Sequence, residues 1–421
     1  MFAPTIRKSL LELVFSGSYM KRWNDKLRPL QLVEVDKQAH KMIVAWLLFM
    51  LNSRDMDDGT RLSLGEQVVE GGMYDYLYRL VITDIKPPVF YQIKANPDDY
   101  RTLTSWVLSR LKPLLTPLGP GFLQRMTHWL MQTEDTGLAR RILSAAHLYA
   151  SYSEFKLIQG LNPHALDMAE IEKSFVDRLE GLGDVVGVSD LLAGLRDESQ
   201  GGVLARFASI CGHLRFQQRW SQTPRVPETT VLGHLFVVAA YAWFFSQEVG
   251  ACRARQQNNF FAGLFHDLPE LLTRDIISPV KRSAPEITDL IHAYEEQELE
   301  RLVLAPLRGN GYADVAARLE FYLGAEVGSE FQACVVRGGT IVAVSSEELA
   351  RRFNADGFDP KDGELLKVCD SVGAFIEAYA AIKNGISAAQ LHQAVWRIKS
   401  DFSERSEVAG IQVGALLADF D

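Results

Sequence analysis

Cysteine is scarce in this chain. Four occur in 421 residues, at Cys211, Cys252, Cys334 and Cys369, with no CxxC pair among them. That scatter argues against a disulfide framework and a thiolate zinc site, and suits a reduced, cytoplasmic protein. Positive charge is also short: 44 Lys and Arg stand against 53 Asp and Glu, a formal net charge of −9. Binding nucleic acid or an anionic membrane takes a positive field, so neither is an expected partner. No stretch reaches the roughly 20 uninterrupted apolar residues of a membrane span. KMIVAWLLFML comes nearest, with the length of a buried helix. The opening MFAPTIRKSLLELVFSG lacks the apolar core and cleavage site of a signal peptide. Strand-like alternation is rare, and FQACVVRGGTIVAV is its best candidate.

What the chain has in quantity is helical pattern. Segments such as ARRILSAAHLYASYSEFKLI and ELLKVCDSVGAFIEAYAAIKN place apolar residues three and four apart, the period of a helix with one buried face. The expected fold class is all-α. The length suits two domains. Polar, glycine-rich GLRDESQGG at 194–202 marks the expected boundary, giving residues 1–195 and 203–421.

The two parts repeat. Arg22-Trp23 precedes AHKMIVAWLLF, and Arg219-Trp220 precedes GHLFVVAAYAW. LVITDIKPPV resembles LLTRDIISPV, pairing Asp84 with Asp275 and Pro88 with Pro279. LSAAHLYASYSEFKLIQG resembles LKVCDSVGAFIEAYAAIKNG with a two-residue gap. Matches in one order at similar spacing indicate two tandem helical domains from an internal duplication. Aligned this way, His40 pairs with His234.

The second part carries chemistry. His266-Asp267 lies in FFAGLFHDLPELLTRD, His234 opens the apolar run HLFVVAAYAWFF, and Asp370 interrupts the apolar face of ELLKVCDSVGAFIEAYA. A bare carboxylate on such a face is costly without a partner. Two histidines and two carboxylates form a mixed N/O set suited to one divalent cation, with positions open to water. Glu270 lies three residues after Asp267, on the same side if the segment is helical. Pro269 interrupts that helix unless a new one starts there, with Asp267 as its cap and Glu270 in its first turn.

The order H…HD…D, with Arg-Trp ahead of the first histidine and the pattern HDxxExLTxDxxxPVK, resembles the HD phosphohydrolase superfamily. It is most similar to the bacterial HD-domain 5′-deoxynucleotidases, over residues 205–400. The resemblance implies a metal-dependent phosphohydrolase acting on a phosphate ester, a nucleoside 5′-monophosphate above all. The alternatives are a non-catalytic scaffold that binds a nucleotide or protein in signalling, and a hydrolase of another nucleotide such as a pyrophosphate-bearing one. It makes His234, His266, Asp267 and Asp370 the ligands of one divalent ion (Mn, Co, Mg, Fe, Ni or Zn). Glu270 falls on the family's catalytic glutamate and Asp275 on its second acid, while Arg219 and Trp220 fall on its nucleotide-contacting pair. Those nucleotidases usually carry Glu before the first histidine, where Gly233 stands here. A homodimer is compatible with the family.

The first part keeps the skeleton without the metal set. The repeat puts Asp75-Tyr76 where His266-Asp267 stands, Arg79 at Glu270, and His147 near Asp370. Losing a histidine and gaining a cation should abolish metal affinity, so this part is expected to be a degenerate copy.

Overall fold

The computed structural model describes residues 5–83, 85–132, 136–273, 285–403 and 407–421. Helix takes up 70% of the chain, in agreement with the all-α expectation. Two sets of three long helices position everything that follows. The first set is α1 (Glu34–Asn52), α2 (Asp58–Ile82) and α3 (Leu138–Gln159). The second is α4 (Val231–Glu248), α5 (Arg253–Phe265) and, after the four-residue α6 (Glu270–Thr273), α7 (Gly363–Lys383).

Local chemistry sets the helix starts. Glu34 and Asp36 lie in the first turn of α1, where the positive end of the helix dipole favours them. Asp57, Thr230 and Asp362 cap α2, α4 and α7 by accepting backbone N–H groups. KMIVAWLLFML lies in α1, which is buried from Glu34 to Leu51, and α4 is buried from Val231 to Ser246. Such all-round burial makes them the central helices. The expected strand is a hairpin, β1 (Cys334–Arg337) antiparallel to β2 (Thr340–Ala343). Its turn residues Gly338 and Gly339 have φ of +57° and +80°, the tight-turn geometry that favours glycine.

The two sets repeat one another in hydrogen bonds as well as in order. An isolated bridge joins Lys21 to Val33, and another joins Gln218 to Thr230. Trp23 and Trp220 both adopt φ +55°, which non-glycine residues rarely do. The Arg22 and Arg219 N–H groups bond to Leu32 and Thr229 carbonyls at 2.7 and 2.9 Å. Each pair is 197 residues apart (21 and 218, 33 and 230), which sets the register of α1 on α4. In that register Lys37, not His40, corresponds to His234. His40 lies one turn further on. Its Nδ1 accepts from Arg215 at 3.1 Å, so Nε2 donates to the Ala208 carbonyl at 2.9 Å. Burial and Arg215 push this imidazole down to about 3, and it serves as a neutral link between the halves. Pairing like residue with like places the sequence alignment three positions off.

For α2 on α5 the separation is 191. Trp46 packs on Phe265 with ring centroids 4.7 Å apart, and its counterpart Trp243 packs on Tyr74 at 6.1 Å. These aromatic pairs cross between the halves, and a single hydrophobic core runs from Ile6 to Phe420. At the glycine-rich boundary the chain stays packed: a Cβ on Gly194 would lie 2.4 Å from that of Ala205.

Candidate metal centre

α4 and α5 approach at Gly263, where a Cβ would stand 2.9 Å from the Ala239 Cα. That closeness brings His266, just past the end of α5, beside His234 in the first turns of α4, with ring centroids 5.6 Å apart. The chain then turns. Leu268 N–H bonds to Phe265 O at 2.8 Å and Glu270 N–H to Asp267 O at 3.0 Å, and α6 starts at Glu270 directly after Pro269. Asp370 arrives two turns into α7, its Oδ1 3.2 Å from His234 Nε2.

Ligand atoms of His234, His266 and Asp267 all lie within 4.8 Å of one another, and this is the one such group among the described residues. The tautomers suit a cation. A carbonyl only accepts, so His266 Nδ1 carries the proton in its 2.8 Å bond to Gly263 O. Nε2 then faces Asp267 Oδ2 at 3.2 Å and becomes a lone-pair donor once a cation displaces the proton this pairing favours. His234 has Nδ1 3.7 Å from Glu377 Oε1 and Nε2 toward Asp370. A carboxylate behind a histidine is how such ligands are commonly oriented. The donor set therefore fits a divalent cation.

Electrostatics agree. Burial alone would raise the Asp370 carboxyl, yet the His234 bond and the Lys367 ammonium at 2.8 Å hold it well below the carboxylate range. Asp267 is likewise lowered against burial by His266 and His234. Burial would lower His266, but Asp267 and Asp370 push it up to about 9. The lowered carboxyls and the raised imidazole show opposite charges holding one another, with Lys367 and Arg219 beside them.

Of the other expected residues, Glu270 is buried, 7% exposed, one turn after Asp267. Arg219 bonds through Nε to Glu377 Oε2 at 3.3 Å and places Nη1 3.6 Å from Asp267 Oδ2. Trp220 donates its indole N–H to the same Glu377 oxygen at 2.9 Å and packs beside Ala378 and Leu391. Asp275 and its repeat partner Asp84 lie outside the described residues.

Glu377 is the residue that sequence reasoning missed. Wholly buried on α7, it accepts from Arg219, Trp220 and Thr229. Burial would raise it, but Arg219 and Arg225 hold it at about 2. The signal was present: seven residues after Asp370 it lies on the same helix face, a second carboxylate among apolar residues.

In the first half, Trp23 donates to Glu154 at 3.0 Å, matching the pair Trp220 and Glu377. Glu154 and Glu377 are 223 residues apart, a separation that places His147 at Asp370. Lys37 Nζ stands 2.7 Å from His147 Nδ1 and 3.8 Å from Glu34. Asp75 accepts from Lys41 at 2.9 Å, and the Tyr76 hydroxyl donates to Val14 O at 2.5 Å.

Residues 211–399 match the family model described as HD domain. That segment is thus similar to HD domains, a likeness that suggests metal-dependent phosphohydrolase activity in general. No curated protein and no solved structure matched the chain. Among the described residues, no helix is long and apolar enough to cross a membrane.

Proposed function

We propose that the second half hydrolyses a phosphate ester, a nucleoside 5′-monophosphate being the leading candidate, around one divalent ion. The observation that carries this reading is the buried cluster of His234, His266 and Asp267, with Asp370 bonded to His234. When bound, the ion supplies charge neutralisation at a phosphoryl oxygen and a lowered pKa for water. His266, fixed by Gly263 O, and His234, with Glu377 3.7 Å from its Nδ1, would offer Nε2 to the ion once it displaces the protons facing Asp267 and Asp370. Glu270, at the start of α6, orients the attacking water or delivers a proton to the departing alkoxide oxygen. Arg219, held by Glu377 with Nη1 toward Asp267, grips the phosphate, and Trp220 borders the nucleoside.

The first half is a degenerate copy from one duplication and braces the second through the shared core. Metal analysis of the purified chain, followed by a phosphate-ester screen with Mn²⁺, Co²⁺ and Mg²⁺, tests the activity. Release of inorganic phosphate from a nucleoside 5′-monophosphate is expected. A metal-loaded protein that binds a nucleotide tightly and hydrolyses no ester would replace this reading with a nucleotide-binding scaffold.

A further inference from the structure

Three helices bring the four proposed ligands together, and a single polar network joins those helices far from the ligands. Asn259 on α5 donates from Nδ2 to Ser246 Oγ on α4 at 2.9 Å. Its Oδ1 accepts at 2.8 Å from the backbone N–H of Asp362, the cap of α7. One turn earlier on α5, Arg255 donates to Asp362 Oδ2. Asp362 Oδ1 accepts from Leu365 N–H at 3.1 Å and from Ser346 Oγ at 3.2 Å. Ser246, Arg255, Asn259 and Asp362 are all at most 1% exposed.

The first half supplies an internal control. By the separations of 197, 191 and 223 residues, the four positions there hold Phe49, Leu64, Val68 and Ala139, all buried and all apolar. Leu64 and Ala139 line one cleft of about 450 Å³, and side chains of these four types can form no hydrogen bond between the helices. The same frame of three helices thus stands without the network. Energetics point the same way, because a buried ion pair is often no better for stability than apolar packing of similar volume. The half that has the network is also the half that has the ligands.

We infer that Ser246, Arg255, Asn259 and Asp362 are positioning residues for the metal ligands, an assignment that rests on reading the cluster as a metal centre. They touch none of the ligands. From the helical rise, Asp362 lies about 12 Å before Asp370, Arg255 about 16 Å before His266, and Ser246 about 18 Å beyond His234. Apolar side chains can repack when helices slide by fractions of an ångström. Directional hydrogen bonds resist that sliding and fix the rotation and axial register of α4, α5 and α7. Metal sites demand such control, since ligand distances must hold to about 0.2 Å.

The test separates register from stability in the full-length chain. Arg255→Leu with Asp362→Ser removes the ion pair while the serine keeps a cap for α7. Mn²⁺ affinity is measured by chelator competition, and Tm is measured in excess EDTA. Affinity about 10- to 100-fold weaker, with the EDTA Tm close to wild type, is expected. Arg255→Lys, which keeps the charge, should restore much of the affinity. Unchanged affinity, or a loss no larger than the drop in EDTA stability accounts for, overturns the proposal. If the double variant does not fold, Asn259→Val with Ser246→Ala carries the same two readouts, and the same results support or overturn the proposal. A wild-type chain that binds no Mn²⁺, Co²⁺ or Mg²⁺ overturns the metal-centre reading itself. A wild-type chain that binds metal beside a swap that changes nothing overturns only this inference.

Discussion

One scaffold meets the same electrostatic demand in two ways in this molecule. In the second half, Asp267 and Asp370 converge with two imidazoles, the set proposed to hold a divalent ion. In the first half lysines stand among the corresponding residues. Lys37 takes the place of His234 and reaches His147 at 2.7 Å, while Lys41 answers Asp75. Glu34, standing where the second half has Val231, gathers Arg22, Arg79 and Lys37 around one buried carboxylate. The guanidinium of Arg22 is thereby turned to Glu34 at 2.8 Å, whereas that of Arg219 is turned toward Asp267. Two residue differences, Glu34 against Val231 and Tyr76 against Asp267, accompany the different direction of the arginine in the repeated Arg-Trp pair. Conservation of a scaffold and conservation of its chemistry are separate matters, and here they part within one chain.

The sharpest way to break the comparison is to remove one carboxylate from each half. Asp267→Ala should abolish bound metal, measured by elemental analysis after gel filtration, while Asp75→Ala leaves metal content unchanged. Equal losses would mean that both halves hold ions. Next in size, Glu270→Ala should keep the metal and lower kcat by about 10²–10⁴-fold. A kcat near wild type would demote Glu270 to a structural acid.

The two arginines should fail differently. Arg22→Ala takes one partner from Glu34 and Glu154, whose side chains are at most 1% exposed, while Arg79 and Trp23 remain. It should cost less in urea unfolding than the about 3–5 kcal/mol of a fully broken buried pair. Arg219→Ala should add to any such cost a higher KM and a lower kcat. A purely thermodynamic effect of Arg219→Ala would reduce the second Arg-Trp pair to the same buckle as the first.

The smallest expected effect concerns pH. Burial lowers Lys37 from 10.5 to about 7. Between about pH 7 and 10.5 the unfolded chain therefore binds the proton that the folded chain has released, and this term stabilises the fold as pH rises. Lys37→Met should flatten that rise, measured as Tm against pH. An unchanged slope would place the titration elsewhere.

Much of this was legible in the sequence, for identifiable reasons. Helical period announced the all-α class because α1 and α4 are apolar over several turns and the outer helices have one apolar face. His234, His266, Asp267 and Asp370 stood out as polar residues on faces where burial penalises them, and the structure brings them together. Pro269 foretold the restart of the helix at Glu270. Glu377 escaped notice because an acid on a helix looks solvated until its partners are known, and those partners, Arg219, Trp220 and Thr229, lie about 150 residues away. The slip from Lys37 to His40 has a similar origin. Residue identity favours like with like, whereas register is fixed by backbone bonds that leave no trace in side-chain type. The network around Asp362 was equally hidden, since its members are scattered from 246 to 362.

The contact at Gly233 has a consequence for how this chain can change over generations. A Cβ there would lie 2.6 Å from Asp36 Oδ1 and 2.9 Å from Val35 Cγ1, and Asp36 also accepts from the Thr230 hydroxyl at 2.8 Å. The space beside the residue before the first histidine is taken by a carboxylate from the first half. A larger side chain at 233 alone meets a filled space, and loss of Asp36 alone leaves a hole and an unanswered hydroxyl. The two positions can drift only together. Such mutual dependence ties the first half to the second at the very entrance of the helix that carries His234.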